Sequence, residues 1–157
     1  MRITRAGFLV AFAITCGGCG QNTTSTKSDS PNLTTSDPKE LELLKGTWQV
    51  TSITAGGKPV AADKVQKINL SYVFAGDKVT IHRPDRPENV STFTIDTSVS
   101  PKKMTINQSP NVRAIYLVEG NKLKLCVMTD EKPNAGYPTD FVSTASPTTD
   151  LLTLERH

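Results

Sequence analysis

The side chains that could do chemistry in this 157-residue chain are few: three cysteines and two histidines, namely Cys16, Cys19, Cys126, His82 and His157. Two histidines are too few for a common zinc site, and no cysteine–histidine pair has the spacing of metal ligands. The sequence also lacks a Gly-x-Ser-x-Gly elbow, a phosphate-binding glycine loop and the helix motif of metalloproteases. We therefore predict no catalytic residues, no metal ion, no cofactor and no enzymatic activity.

The first two cysteines follow a segment with the features of an export signal. Arg2 and Arg5 form a short basic start, and residues 6–14 form an apolar run of nine residues. Small residues then lead to Cys19. A basic start, a short apolar core and a small-residue exit are typical of a secretory signal peptide, whereas a membrane-spanning helix needs roughly 18 apolar residues. We predict that residues 1–18 are a signal peptide.

Cys19 is the candidate for covalent modification. Gly17-Gly18-Cys19 resembles the bacterial lipobox, whose cysteine is acylated and becomes the first residue of the mature protein. Cys16 stands where that motif usually has an aliphatic residue, and it is the alternative acceptor. A soluble exported protein with a disulfide between Cys19 and Cys126 is the rival interpretation. If Cys19 is acylated, Cys126 is a lone thiol, which we expect to behave as a partly covered small hydrophobic residue.

The chain behind the signal peptide is close to electrically neutral. The whole sequence has a net charge of +3, but residues 1–18 hold two arginines, which leaves 16 basic against 15 acidic residues. A nucleic-acid-binding domain normally carries a basic stripe, and the sequence has none. Residues 20–38 include nine Ser or Thr among 19 positions, so we predict a disordered tether behind Cys19. Gly20 stands where an aspartate is associated with inner-membrane retention, which favours the outer membrane of a bacterial envelope.

Beyond the tether, the apolar residues mostly recur at period two, the pattern of β-strands. We predict one short helix at residues 38–45, because Asp37 is a good N-cap, Pro38 suits the first helical turn and Gly46 ends the helix. Eight strands are predicted to follow, at residues 47–53, 69–75, 78–83, 91–96, 103–107, 113–119, 122–128 and 151–155. Short turns connect most of them, so we predict that residues 39–157 form an eight-stranded antiparallel up-and-down β-barrel.

Strand alternation assigns the side chains of this barrel to an inward and an outward set. The inward set is Ile68, Leu70, Tyr72, Phe74, Val79, Ile81, Phe93, Ile95, Met104, Ile106, Leu123, Leu125 and Val127. An eight-stranded barrel has room for one small ligand. The residues predicted to line such a cavity are Ser52, Tyr72, Phe74, Phe93, Met104 and Leu125. Residues 114–118 are apolar on both faces, so we expect this strand to be covered outside as well, with Leu41 and Leu44 either covering it or capping one end.

One pair of residues tests the closure of the barrel. Trp48 lies at the start of the first strand, and Arg156 lies at the end of the last one. If these two strands pair antiparallel, the start of one meets the end of the other. We then expect the Arg156 guanidinium to lie over the Trp48 indole and to plug the barrel floor, an interaction of about 0.5–2 kcal/mol. The alternative is that Arg156 is a frayed residue in water.

Several short motifs occur in an order that resembles a known family. Gly46-Thr47-Trp48 looks like the Gly-x-Trp signature of lipocalins. It is followed by Gly57-Lys58-Pro59, Phe74-Ala75-Gly76-Asp77-Lys78-Val79-Thr80, Ile115-Tyr116, Gly120-Asn121-Lys122-Leu123-Lys124-Leu125-Cys126 and Pro138-Thr139-Asp140-Phe141. This order resembles an uncharacterised bacterial family of lipocalin-like domains that are often attached to exported lipoproteins. The resemblance spans residues 43–156 and implies the barrel fold, without an established activity.

Two functions remain open at this point. The first is an envelope-anchored lipoprotein whose barrel binds a small apolar or amphipathic molecule, and the family resemblance favours it. The second is a filled barrel that serves as a structural or protein-interaction module of the envelope, and large inward residues such as Phe74, Phe93 and Met104 favour it. In either case we expect a monomeric domain that is held at a membrane by its lipid and has no nucleic-acid partner.

Overall fold

The computed structural model of the chain describes residues 37–129 and 136–157. The predicted signal peptide, both candidate acylation sites and the tether up to residue 36 lie outside these ranges. The described residues form two helices and nine strands: α1 Pro38–Leu44, β1 Gly46–Ala55, β2 Lys58–Pro59, α2 Ala62–Ile68, β3 Ser71–Ala75, β4 Lys78–His82, β5 Asn89–Asp96, β6 Lys102–Asn107, β7 Val112–Glu119, β8 Lys122–Met128 and β9 Thr149–Arg156. Neither helix is long and apolar enough to cross a membrane.

Eight of these strands form one closed antiparallel barrel. From β3 to β9 each strand pairs with the next one in sequence, and β1 pairs with β3 on one side and with β9 on the other. Two-residue turns that begin with Gly76 and Gly120 connect β3 to β4 and β7 to β8. Both glycines have φ 61°, a conformation that L side chains rarely adopt and that hairpin turns require. The prediction of an eight-stranded up-and-down barrel is confirmed, and β2 adds only a two-residue pairing to the last residues of β1.

The connection between β1 and β3 contains a helix that the strand pattern did not predict. α2 begins after Ala61 and ends at Asn69, whose left-handed conformation (φ 44°) closes the helix. Val65 is buried and Ile68 is half-buried against the core, so the apolar residues here follow helical spacing. Grouping Ile68 with the inward face of the following strand was therefore wrong, because a spacing of three residues between apolar positions belongs to a helix face.

A β-bulge changes the inward set of β1. Val50 pairs with Leu154, but Ser52 pairs with Thr153, so Thr51 is the extra residue on this strand. An extra residue shifts the alternation by one, so that side chains beyond it exchange faces. Ser52 is exposed in consequence, while Ile53 packs against the core. The prediction that Ser52 lines the interior was wrong for this reason.

The barrel has two unlike ends, which we call the floor and the mouth. The floor is the end at which β1 begins and β9 ends, and α1 lies against it with Leu44 fully buried. The mouth is the opposite end, formed by the loops that follow β4 and β6 and by α2. The helix therefore caps one end of the barrel, which was one of the two placements expected for it.

The outer face of β7 and β8 is covered by the chain that leads to β9. Ile115 and Cys126 point away from the interior, yet each is 0% exposed. Residues 137–142 run across this face: the Tyr137 hydroxyl lies 2.5 Å from Thr105 Oγ1 on β6, and the Cys126 thiol lies 3.6 Å from the Val142 carbonyl oxygen. This covering explains why the sequence of β7 is apolar on both faces.

Candidate functional site

The predicted contact between Trp48 and Arg156 is present at the barrel floor. The two residues are direct partners in the β1–β9 pairing, and the Arg156 guanidinium carbon lies 4.5 Å from the centroid of the Trp48 ring. Both side chains also bind the end of α1. The Trp48 indole donates a hydrogen bond to the Leu44 carbonyl (2.6 Å), and Arg156 Nη2 donates one to the Leu43 carbonyl (2.5 Å). They thus satisfy carbonyl groups that a helix C-terminus leaves without partners, and a cation there suits the helix dipole.

An ion pair between a buried carboxylate and a partly exposed lysine holds the other side of α1. Glu40 is 5% exposed, and its Oε2 lies 2.7 Å from the Lys102 ammonium of β6. Tyr116 is the partner of Lys102 across the β6–β7 ladder and is also buried. Burial, together with the neighbouring negative charge of Glu40, raises the pKa of the Tyr116 hydroxyl above its usual range. The floor is therefore closed by an aromatic contact on one side of the helix and by a charged contact on the other.

Most of the predicted cavity-lining residues instead fill the barrel above the floor. Phe74, Phe93, Met104 and Leu125 are at most 2% exposed. The rings of Phe74 and Phe93 meet edge to face with centroids 5.2 Å apart, a favourable arrangement for two aromatic side chains. These four residues form the packed core, and Tyr72 is the member of the predicted set that reaches a cavity at the mouth.

That cavity is an open cup of about 290 Å³ at the mouth, near the lower limit for ligand pockets. Its base is apolar and consists of Leu70, Tyr72, Ile81, Ile106, Val112 and Val127. Its rim is polar and consists of Arg83, Arg86, Asn89 and Gln108, with Pro87 between them. An apolar base beneath a few polar groups is the usual construction of a small-molecule site.

The loop between β4 and β5 positions the two arginines of this rim. The Arg86 amide donates a hydrogen bond to the Arg83 carbonyl (3.2 Å), so residues 83–86 form a β-turn. Proline is favoured at the second position of such a turn, where Pro84 lies, because its φ is already fixed. At the base of the loop, His82 Nδ1 of β4 lies 3.3 Å from Glu88 Oε1. The turn places an arginine at each of its ends, and both side chains line the cup.

These arginines were not predicted from the sequence, although a signal was present. Arg83-Pro84-Asp85-Arg86-Pro87 repeats Arg-Pro within five residues between two strands. Two prolines indicate a stiff loop, and residues at the first and fourth positions of a β-turn come close together. A charged turn usually lies in solvent at the protein surface. The cavity beside this turn is what makes its two arginines candidates for binding a ligand.

The polar groups on the other side of the rim are joined across two strands. Asn89 Nδ2 at the start of β5 donates a hydrogen bond of 2.9 Å to Gln108 Oε1, just beyond β6. Below them, burial raises the pKa of the Tyr72 hydroxyl to about 12. The positive charge of Arg83 opposes this shift, and the negative charge of Asp150 adds to it. At physiological pH the Tyr72 hydroxyl is therefore protonated and uncharged. Tyr72 forms part of the bottom of the cup, close enough to Arg83 for the two to interact electrostatically.

The remaining candidate for chemistry is Cys126, whose side chain is fully buried. Burial raises the pKa of its thiol, so the nucleophilic thiolate is disfavoured. Within the described residues no group of three or more His, Cys, Asp or Glu side chains could hold a metal ion.

No family model, curated protein or solved structure matches this chain. The resemblance to lipocalin-like domains therefore stays a prediction from the motifs given above.

Proposed function

We propose that this protein is an envelope-anchored lipoprotein whose barrel binds one small apolar or amphipathic molecule at its mouth. The observation that carries this proposal is the cup of about 290 Å³, with its apolar base and polar rim. Binding would take the molecule's apolar part out of water, at roughly 25 cal/mol per Å² of apolar surface buried.

The filled interior favours a second function. Phe74, Phe93 and Met104 occupy the space in which a deep ligand would lie. A barrel of this kind, used as a structural or protein-interaction module, is the alternative. The two functions differ in what they require of the cup: the first needs it to take up a ligand, and the second does not.

The first experiment is native mass spectrometry of residues 20–157, purified without denaturation. These residues hold the whole described core, which lies between Leu44 and Leu154, so we expect them to fold without the anchor. A co-purifying mass that is lost on denaturation supports the binding function. A bare protein that remains bare after exposure to a lipid extract supports the alternative.

A second experiment locates the binding to the cup. The uncharged fluorophore N-phenyl-1-naphthylamine brightens in apolar surroundings, and we expect it to brighten with the wild type. Val112→Trp places a large ring in the cup and should abolish this signal. Val90→Trp is the matched control, because Val90 is 59% exposed and does not line the cup. Equal brightening with both variants would place the binding elsewhere.

The lipid anchor is tested separately, by metabolic labelling of the full-length protein with an alkyne fatty acid in bacteria. The wild type and Cys16→Ser are expected to take up label, and Cys19→Ser is not. The reverse pattern would assign the anchor to Cys16. Absence of label from the wild type would favour the soluble exported form with a disulfide between Cys19 and Cys126.

A further inference from the structure

We propose that the cup selects amphiphilic anions, with an oxyanion head group held by Arg83 and Arg86 at the rim and a short hydrocarbon chain on the apolar base. This inference rests on the proposed binding function and specifies its ligand class. It starts from the sign of the charges at the cup. Two of the residues that line it are arginines, and none of its lining residues in the described chain is Asp or Glu.

The two acidic residues of the loop that carries both arginines are engaged elsewhere or held loosely. Glu88 lies against His82 at the base of the loop. Asp85 approaches Arg86 only to 4.0 Å, and both side chains are largely exposed to water. Exposed ion pairs of this kind contribute little to stability, so Asp85 holds Arg86 only weakly. Within the described ranges Arg83 has no carboxylate within 4.0 Å, although it is half-buried beside the cup. Within the described residues, the charged groups that line the cup are thus both cations, although Asp150 is near enough to act electrostatically on Tyr72.

The chemistry of arginine suits an oxyanion better than any other head group. Its guanidinium presents donors in a fixed fork that matches the two oxygens of a carboxylate or phosphate. Two such forks at the ends of one turn can approach the same head group from two directions. Asn89 and Gln108 bond to each other across the rim and form its polar, uncharged side.

The size and polarity of the base fix the other half of the ligand. A volume of about 290 Å³ leaves room for a short chain and not for the two long chains of a phospholipid. The base residues Leu70, Ile81 and Ile106 offer hydrocarbon contacts only. An inorganic anion alone would leave this base in contact with water, so both parts of an amphiphile are needed.

The test compares three eight-carbon probes that differ in charge: octanoate, octanol and octylammonium. Each displaces N-phenyl-1-naphthylamine from residues 20–157 at pH 7.5 and low salt. We expect octanoate to bind about tenfold more tightly than octanol, a factor that corresponds to one good charge-assisted contact, and octylammonium to bind most weakly. Adding 0.5 M NaCl should weaken octanoate and leave octanol unchanged, because salt screens exposed charges.

Variants of the rim assign the preference to the two arginines. The double variant Arg83→Gln/Arg86→Gln should bind octanoate no more tightly than octanol. It should still bind octanol and the fluorophore as the wild type does, which would show that the cup is intact. Lys58→Gln is the matched control, since Lys58 is an exposed cation at the same end of the barrel and does not line the cup. Octyl phosphate, run in parallel, shows whether a phosphate head is preferred to a carboxylate.

The outcomes separate this inference from the proposed function. If octanol binds as tightly as octanoate, or if the double variant keeps the preference for octanoate, the anion selectivity is refuted and the binding function stands. If neither octanol nor the fluorophore binds the wild type, the binding function fails, and this inference fails with it.

Discussion

The floor of the barrel gives the sharpest prediction for stability, namely the effect of Arg156→Ala. The Arg156 guanidinium makes two contacts that this change removes: a cation–π contact with the buried Trp48 ring and a hydrogen bond to the Leu43 carbonyl. Because Arg156 is exposed, the first is worth about 0.5–1 kcal/mol and the second about 1 kcal/mol. We therefore expect the free energy of unfolding to fall by about 1.5–2 kcal/mol. At about 4 °C per kcal/mol for a domain of this size, the melting temperature should fall by about 6–8 °C.

The assay is urea unfolding of residues 20–157, followed by circular dichroism and by tryptophan fluorescence. Trp48 is the only tryptophan of the chain, so its emission reports this floor alone. We expect Arg156→Ala to change that emission in the folded protein, and Arg156→Lys to retain part of the stability because it keeps a cation. Glu155→Ala is the control, since Glu155 is the exposed neighbour on the same strand and faces the other way. An Arg156→Ala protein with unchanged emission and no greater loss of stability than this control would refute the reasoning.

Three further predictions concern buried groups. Lys102→Met leaves the buried Glu40 carboxylate without its cation, so the free energy of unfolding should fall by about 1–3 kcal/mol. Adding Glu40→Gln removes the unpaired charge and should recover part of this loss, which urea denaturation of the two single variants and the double variant measures. The Cys126 thiol, whose pKa is raised by burial, should not react with Ellman's reagent at pH 8 until the barrel is unfolded in urea, and rapid reaction of the folded protein would contradict its placement. Burial raises the pKa of Tyr72 from 10.0 to about 12, so its contribution to stability is complete below pH 10 and is lost as the pH rises through 12. Tyr72→Phe should make the loss of stability between these pH values shallower in urea titrations, and an unchanged slope would contradict the shift.

Much of the fold follows from local sequence patterns. Period-two alternation and the two-residue turns with Gly76 and Gly120 specify which strands pair, because each hairpin is local in sequence. The contact between Trp48 and Arg156 also followed from the sequence, since an up-and-down barrel that closes must bring its first and last strands together. These predictions required no knowledge of loop conformation.

The features that were missed depend on details that alternation does not contain. The bulge at Thr51 moves Ser52 out of the interior, and the extra residue leaves no mark on the pattern of polar and apolar residues. α2 follows a helical spacing only over Val65 and Ile68, too short a stretch to stand out. The arginines of the rim were missed because their role comes from the cavity beside them, which depends on how closely the side chains of six strands approach one another.

The pairing of β1 with β9, which closes the barrel, also determines when the domain can fold. The bond from Arg156 to Leu43 joins residues that are 113 positions apart, and contacts of such long range form slowly because a long loop must close first. A chain that emerges N-terminus first therefore presents β1 with one unpaired edge until the final strand follows it. Folding of the closed form must wait for the last eight strand residues, Thr149–Arg156. Truncation ahead of β9 would leave two open sheet edges, prone to pair with other chains, rather than a smaller barrel.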